Sequence, residues 1–448
     1  MTQKYLALHA MALGLVFASA AGLAQAANPI VPKRGLNDPH IHIFGDRAYV
    51  FASHDRSPTN KAFVMDNWWV WSSPDLVHWT NECVLQPEQT FIGKPFTGCW
   101  AVDAACRNGK YYFYYSQRNE QTGVMVGDSA AGPWRDPLGK PLLSSDLTPT
   151  HEYDICVFQD ADGNPYIIFG VWDYYIARLN EDMISLAEKP RLLQLDRKFG
   201  PYGEGKTDDK PNLHQANGHY YLTWGCFYAM ADNVYGPYVF KGSVMDTNTS
   251  FAPGCASPTW PNGPLQGRHG NYFTWHGQWY FTYCDMSQSG NRYFRDAFIS
   301  YIHYKANGEI APIRVDGTGV GEYRAAGKIE AEDFFAATNI TQQGIPGGFG
   351  VSATKAGGFL IFPNVHGLAQ CSQLTLELSS VGAGGTIEIR ERGPDGPLLA
   401  EGAVEKSKKT DGPTTVAIRL VHRASSETLC LKLVGSPAMV LDAFNLQP

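Results

Sequence analysis

A turn glycine followed by an aromatic strand occurs five times in the first 320 residues, and no other feature constrains the fold as tightly. The copies read GDRAYVFAS from Gly45, NGKYYFYYS at Gly109, GNPYIIFG from Gly163, NGHYYLTWG at Gly218 and HGQWYFTY at Gly277, at intervals of 64, 54, 55 and 59 residues. Six to nine residues ahead of each glycine stand Asp38, Asp103, Asp154, Asp209 and His269. A repeat of this length made of short strands predicts propeller blades around an axis. The innermost strand of each blade then brings its first residues to one end of that axis. Polar groups far apart in sequence would meet there in a single pocket.

The composition changes near residue 320. All eleven Trp lie between Trp68 and Trp279, and no Tyr follows Tyr323. The run Gly317-Thr318-Gly319-Val320-Gly321 reads as a linker. Beyond it, seven short alternating runs (GKIEAEDF, GGFLIFPNV, SQLTLELSSV, GGTIEIRE, TTVAIRLV, TLCLKLVG and MVLDAFNL) separated by Gly-rich turns read as a β-sandwich. The expected fold class is therefore all-β: a five-bladed propeller over 27–320 and a jelly-roll sandwich over 321–448. The pocket would lie wholly in the first unit, so the two are expected to be separable. VWSSPDLVHWT, VGDSAAGPW and MADNVYGPY each end a strand in a turn and return an aromatic to cover it, a pattern of blade packing.

Residues 1–26 read as an export signal: Lys4, then an apolar and small run from Leu6 to Leu23, then the small-residue site Ala24-Gln25-Ala26. A periplasmic or secreted location is expected, with no membrane attachment after cleavage, since no later stretch is apolar enough to span a bilayer. The charge balance, 36 Lys+Arg against 43 Asp+Glu for a net −7, comes without a basic cluster interleaved with aromatics. That argues against nucleic acid and for a neutral oligo- or polysaccharide partner. Nine cysteines without zinc-type spacing leave local pairs open, Cys99 with Cys106 and Cys371 with Cys430; buried thiols such as Cys156 and Cys284 are the plainer reading.

Asp38 in LNDPHIHIF, Asp154 in HEYDICVF and Asp209 in DDKPNLH each head a strand. Pro39 disfavours helix at Asp38 and starts its strand. One Asp before a strand is ordinarily a turn residue, but three at matching places in three blades would be forced together. Crowded carboxylates cannot all ionise freely, so an acid stands beside a base near neutral pH. Glycoside hydrolysis needs that split, with one carboxylic acid for the leaving oxygen and one carboxylate for water or carbon.

The stretches NDPHIHIFGDRAYVFAS, VWSSPDLVHWT, WAVDAACRNGKYYFYYS, YDICVFQDADGNPYIIFG and RHGNYFTWHGQWYF resemble glycoside hydrolase family 43 over residues 35–315. The resemblance implies an inverting enzyme on a five-bladed propeller. It implies that Asp38 is the general base and Asp154 the acidic residue that tunes and positions the acid. The family's Glu-x-Pro at the head of the fourth blade is replaced here by Asp209-Lys210-Pro211. Asp209 and, from the same loop, Glu204 are the alternative acids, with Asp208 the remaining nearby carboxylate. His269 matches a family histidine at the axis that helps hold calcium or a water network. Trp100 matches a sugar-stacking aromatic. Trp172 and Phe227 line either pocket or core, and Arg295 is a candidate for binding a sugar hydroxyl.

The last 120 residues resemble carbohydrate-binding module family 6. That resemblance implies a calcium site at Glu330, Glu332 and Asp442, and places Phe359 and Phe362 where the family carries its Trp or Tyr platform. The reading is an exo-acting inverting glycoside hydrolase without an organic cofactor. It would release terminal arabinofuranose, xylose or a related sugar from plant polysaccharides or oligosaccharides. A retaining fructan-type propeller enzyme and a non-catalytic sugar binder are the alternatives.

Overall fold

The computed structural model describes residues 28–245, 269–315, 317–406, 413–435 and 439–448. The segment read as an export signal lies outside them. Strands dominate: the helical segments among the described residues are two three-residue 3-10 turns.

Five antiparallel sheets form in chain order. Blade 1 runs through Leu36–Phe44, Arg47–Asp55, Met65–Ser73 and Thr80–Leu85, and blade 2 through Cys99–Arg107, Lys110–Gln117, Gln121–Gly127 and Trp134–Arg135. Blade 3 comprises Cys156–Gln159, Pro165–Val171, Asp173–Arg178 and Arg191–Leu192, and blade 4 Pro211–Ala216, His219–Trp224, Phe227–Ala231 and Val239–Ser243. Blade 5 has three strands, Gly270–Trp275, Gln278–Asp285 and Asp296–Ile302. The N-terminal segment bonds along this third strand: Ile30 N–H donates to Ala297 O (2.9 Å), and Asn28 exchanges two hydrogen bonds with the Ile299 backbone (2.8 Å each).

The repeat glycines are where the chain reverses between the first and second strand of each blade. Gly45, Gly109, Gly163, Gly218 and Gly277 all have φ between +65° and +84°. In blades 2, 4 and 5 the preceding residue (Asn108, Asn217, His276) is also left-handed, the two-residue hairpin geometry that matches strand twist. The covering aromatics do pack between strands. Trp134 meets Phe51 and Phe113 edge-on, at 6.3 and 5.5 Å between ring centres, and Tyr238 is fully buried.

The C-terminal part forms two facing sheets. One orders Ile340–Ile345, Gly348–Ala353, Val440–Gln447, Gln373–Ser380 and Thr414–Arg419, with Ile329–Glu330 paired to Val440–Gln447. The other orders Ala336–Thr338, Gly358–Phe362, Leu429–Gly435, Gly385–Glu391 and Leu398–Val404. Alternating residues such as Leu374, Leu376, Leu378, Leu431 and Leu441 fill the space between them. This unit is tied into the propeller by buried polar contacts. Gln278 Nε2 donates to the carbonyls of Glu332 (2.6 Å) and Phe334 (3.2 Å), and Asp333 takes hydrogen bonds from His303 (3.1 Å) and Arg314 (3.0 Å). Separability, expected from sequence, is therefore opposed by a shared interior.

No disulfide joins any of the eight described cysteines to another. Cys99 and Cys106 sit at opposite ends of one strand, roughly 23 Å apart by strand rise, so they cannot pair. Cys371 and Cys430 are likewise unbridged.

Candidate active site

The inner strands of the five blades begin at one mouth of the axis. Asp38, Asp154, Asp209 and His269 stand at or just before four of these beginnings. Sequence reasoning expects an extended Asp38 ahead of Pro39. The backbone is instead left-handed there, φ +45°, and the strand ladder slips between Asn37 and His40. Asp154 has the same conformation, φ +53°. Asp tolerates this region better than most residues, and a bulge of this kind re-aims a side chain. In blade 4 the left-handed residue is Lys210, φ +50°, and Asp209 comes one place earlier. The matching corner of three blades thus carries Asp, Asp and Lys.

His269 joins the cluster. Its Nδ1 lies 3.1 Å from Asp38 Oδ1 and its Nε2 lies 2.5 Å from Asp209 Oδ1. Burial opposes the imidazolium, but Asp209 and then Asp38 outweigh it and hold the ring protonated well above the usual histidine range. Both ring N–H groups then donate to carboxylates. Asp38 is buried, which alone would favour its neutral form. Arg295, Lys210 and His269 override that and keep it ionised well below the usual carboxylate range. Its Oδ2 accepts from Asn37 Nδ2 (2.8 Å) and Ser53 Oγ (3.1 Å).

The remaining carboxylates divide. His269 overcomes burial at Asp209 and lowers its pKa. Burial, then repulsion from Asp209, pushes Asp154 well upward and Asp208 up to about 8. Donor atoms of Asp154, Asp209 and His269 all lie within 4.8 Å of one another. One proton is therefore held beside an ionised partner. The Asp209 side chain is 28% exposed against 6% for Asp38, so Asp209 is the more accessible of the two. Tyr153 Oη donates to Asp209 Oδ2 (3.4 Å), and Trp100 stands 6.0 Å from the Tyr153 ring.

Several candidate residues lie elsewhere. Glu204 is on a two-stranded hairpin with Phe199–Gly200, exposed and bound to Arg197 at 2.7 Å, outside the carboxylate cluster. Arg295 is buried, forking onto Asp55 (3.0 and 3.1 Å) and reaching Asp38 at 3.4 Å, so it positions these carboxylates. Phe227 belongs to the core with Phe199 and Phe240. Trp172 stays at the rim, half-buried, with Tyr202 and the Lys206 ammonium against it. Asp103 sits four residues into its strand, clamped by His40 and His42 and away from the mouth. In the sandwich Phe362 is core against Tyr323 and Phe444, while Phe359, three residues away on the same strand, is half-buried.

Residues that sequence reasoning missed are Lys210, whose buried ammonium donates to Asp38 O (2.9 Å), Asp55 and Tyr153. The signal for Lys210 was present: DKP stands where blade 1 has NDP.

Calcium takes six to eight oxygen ligands. The His269 cluster offers one imidazole, spent on two carboxylates, with Lys210 and Arg295 at its edge. These residues do not fit that ion. In the sandwich, Lys328 bonds Glu330 at 3.0 Å and approaches Glu377 at 3.8 Å, so an ammonium already supplies the positive charge beside Glu330. Glu332 is turned inward, and Glu330, Glu332 and Asp442 do not converge as a metal-ligand group among the described residues.

A propeller with paired carboxylates of opposite protonation at its axis defines a glycoside hydrolase. Residues 26–310 match the family model of glycosyl hydrolases family 43, and the chain belongs to that family. It is 26% identical over 338 residues to a xylosidase/arabinosidase of Bacteroides ovatus, covering 63% of this chain and 96% of that protein. It is 24% identical over 498 residues to an arabinoxylan arabinofuranohydrolase of Paenibacillus polymyxa, covering 94% and 74%. A GH43_1 enzyme from Xanthomonas citri complexed with xylose superposes with a TM-score of 0.53 at 26% identity, over 64% of this chain and 93% of that one. The fold alone extends further: an arabinoxylan arabinofuranohydrolase from Bacillus subtilis has a TM-score of 0.55 at 21% identity over 95% and 98% of the two chains.

Proposed function

We propose that the protein is an exo-acting, inverting hydrolase that releases terminal arabinofuranose or xylose from plant polysaccharides or their oligosaccharides. The observation that carries this reading is the His269 imidazolium between Asp38 and Asp209. It spaces the two carboxylates by a ring width and two hydrogen bonds. That span suits the roughly 6.5–9.5 Å of inverting enzymes better than the roughly 5–5.5 Å of retaining ones, which disfavours the fructan-type alternative. The named relatives support the sugar class: a xylosidase/arabinosidase and an arabinoxylan arabinofuranohydrolase.

Asp38, ionised, takes a proton from a water whose oxygen attacks the anomeric carbon. The glycosidic carbon–oxygen bond breaks, and the leaving oxygen takes its proton from Asp209. Asp154 shares that proton with Asp209 in the free enzyme and keeps it available near neutral pH. His269 then stabilises the Asp209 carboxylate that remains. Trp100 and Trp172 provide apolar walls for the sugar. No organic cofactor and no calcium ion enters this scheme.

The catalytic unit is taken as 27–320 and the sandwich, 321–448, as a module like family 6 carbohydrate-binding modules that has lost its aromatic platform and serves packing. Export rests on residues 1–26. The test is turnover of aryl α-L-arabinofuranosides and aryl β-D-xylosides, with the first-formed anomer read by proton NMR. Inverted product, and loss of at least about 100-fold in kcat for Asp38→Asn, are expected. Retained product, or an Asp38→Asn enzyme with more than about one-tenth of wild-type kcat, contradicts the assignment.

A further inference from the structure

The five inner strands share one direction about the axis, so their ends meet at a second mouth, opposite the carboxylate cluster. A recess of about 510 Å³ opens there, lined in part by His42, Asp103, Gln159, Asn212, His214 and Asn271. At its wall three side chains from two blades converge on one atom. Asp103 Oδ1 lies 2.7 Å from His40 Nδ1 and 2.6 Å from His42 Nε2. His40 and His42 are two residues apart on the inner strand of blade 1 and so share a face.

Two features separate this trio from an ordinary hydrogen-bonded clamp. His40 is fully buried, yet neither ring nitrogen makes a hydrogen bond of acceptable geometry. Burying a polar ring nitrogen without a well-aligned partner is costly to the fold. The other carboxylate oxygen of Asp103 is already anchored: Oδ2 accepts the Val157 backbone N–H at 2.6 Å. That arrangement fixes a ligand carboxylate from behind, while Oδ1, which also accepts the Ala104 backbone N–H at 2.8 Å, faces the two imidazoles.

We propose that His40 Nδ1, His42 Nε2 and Asp103 Oδ1 form a binding site for a divalent transition cation of the zinc class. Two imidazoles and one carboxylate are a donor set for such ions and not for calcium or magnesium. Three protein donors leave a coordination position for water from the recess. Metal–ligand bonds of roughly 2.0–2.2 Å place neighbouring donors about 3.3 Å apart in a tetrahedron, so binding requires each imidazole nitrogen to draw back from Asp103 Oδ1 by about 0.6–0.7 Å. The His42 side chain, 22% exposed and stacked on Phe44 at 5.7 Å, is the member free to move. The ion would cross-link blades 1 and 2 and takes no part in hydrolysis at the other mouth.

The test uses the full-length, untagged mature protein, stripped with a chelator and titrated with Co²⁺ by visible spectroscopy and with Zn²⁺ by calorimetry. The expected result is one equivalent bound, with intensified ligand-field bands and a melting temperature that rises with free metal. His42→Phe keeps the stack on Phe44 and the buried pair His40 and Asp103. It should fold with an unchanged circular dichroism spectrum, retain activity and lose at least about 100-fold in metal affinity. No heat and no bands with wild type, or a His42→Phe protein that binds as wild type does, overturns the proposal. The second outcome would place the ion at another group of ligands.

Discussion

Asp209 Oδ1 lies 2.5 Å from His269 Nε2, and the same imidazole reaches Asp38 with its other nitrogen at 3.1 Å. One residue from the fifth blade thereby sets both the distance and the charge balance between groups 171 positions apart in sequence. His269 also holds the Asp209 carboxyl in the cluster, and Tyr153 donates to its second oxygen.

Asp209→Asn should impair hydrolysis of alkyl or natural glycosides far more than that of glycosides with very acidic phenols, since the latter need little proton assistance. Glu204→Gln should leave both rates near wild type, because Glu204 is spent on Arg197 at an exposed hairpin. Paired kcat/KM values on the two substrate types decide the matter. A selective loss in Glu204→Gln would move the acid to the hairpin.

The alkaline limb of the kcat/KM profile should move in opposite directions for two neighbours of Asp209. Burial and repulsion from Asp209 keep a proton on Asp154 and so on the pair, so Asp154→Asn should bring the limb to lower pH. The imidazolium lowers the proton affinity of Asp209, so His269→Gln should carry the limb to higher pH while reducing kcat. The profiles are measured on an activated aryl glycoside, and parallel shifts would contradict these roles.

Truncation after Tyr323 should give an insoluble or inactive protein. The cut removes Glu332, Asp333 and Phe334 from Gln278, His303 and Arg314, and uncovers Trp275, which packs on Phe335. Expression and gel filtration of the shortened chain provide the check. Full activity from a soluble truncated chain would show that these contacts are incidental.

Glu332 makes stability depend on pH. Burial raises its carboxyl from an ordinary 4.5 to about 7. The folded state therefore holds a proton that the unfolded chain has released. The associated stability is complete below pH 4.5 and is lost as pH rises to 7, at up to about 1.4 kcal/mol per unit. Glu332→Gln should consequently gain melting temperature relative to wild type at pH 8 when compared with pH 5. Calorimetric melts at both pH values test this, and an equal difference at both would assign the proton elsewhere.

The propeller was legible in the sequence because its turns demand specific chemistry. Five glycines at near-regular spacing take left-handed conformations that other residues adopt only with strain, and the aromatic strands after them have one buried face to satisfy. Local rules of this kind act over a few residues, so composition and spacing reveal them. The same rules indicated that strand beginnings would gather Asp38, Asp154, Asp209 and His269 at one mouth.

Which charged form each group takes was decided only by the tertiary structure. Asp103 stands six residues ahead of its glycine, the shortest offset of the five, and sits deeper, because it lies four residues inside its strand and meets His40 and His42 across a blade boundary. Arg295 reads in the sequence as a sugar ligand alone, and the fold adds its ion pairs to Asp55 and Asp38. Lys210 is no candidate in the sequence, and only the fold's left-handed backbone there sends its ammonium to Asp38 O. Burial and Coulomb interaction depend on distances between blades, and no local pattern encodes those distances. Strands, turns and the end of the axis at which chemistry collects follow from local patterns of residues; the packing of five blades sets which carboxylate keeps its proton.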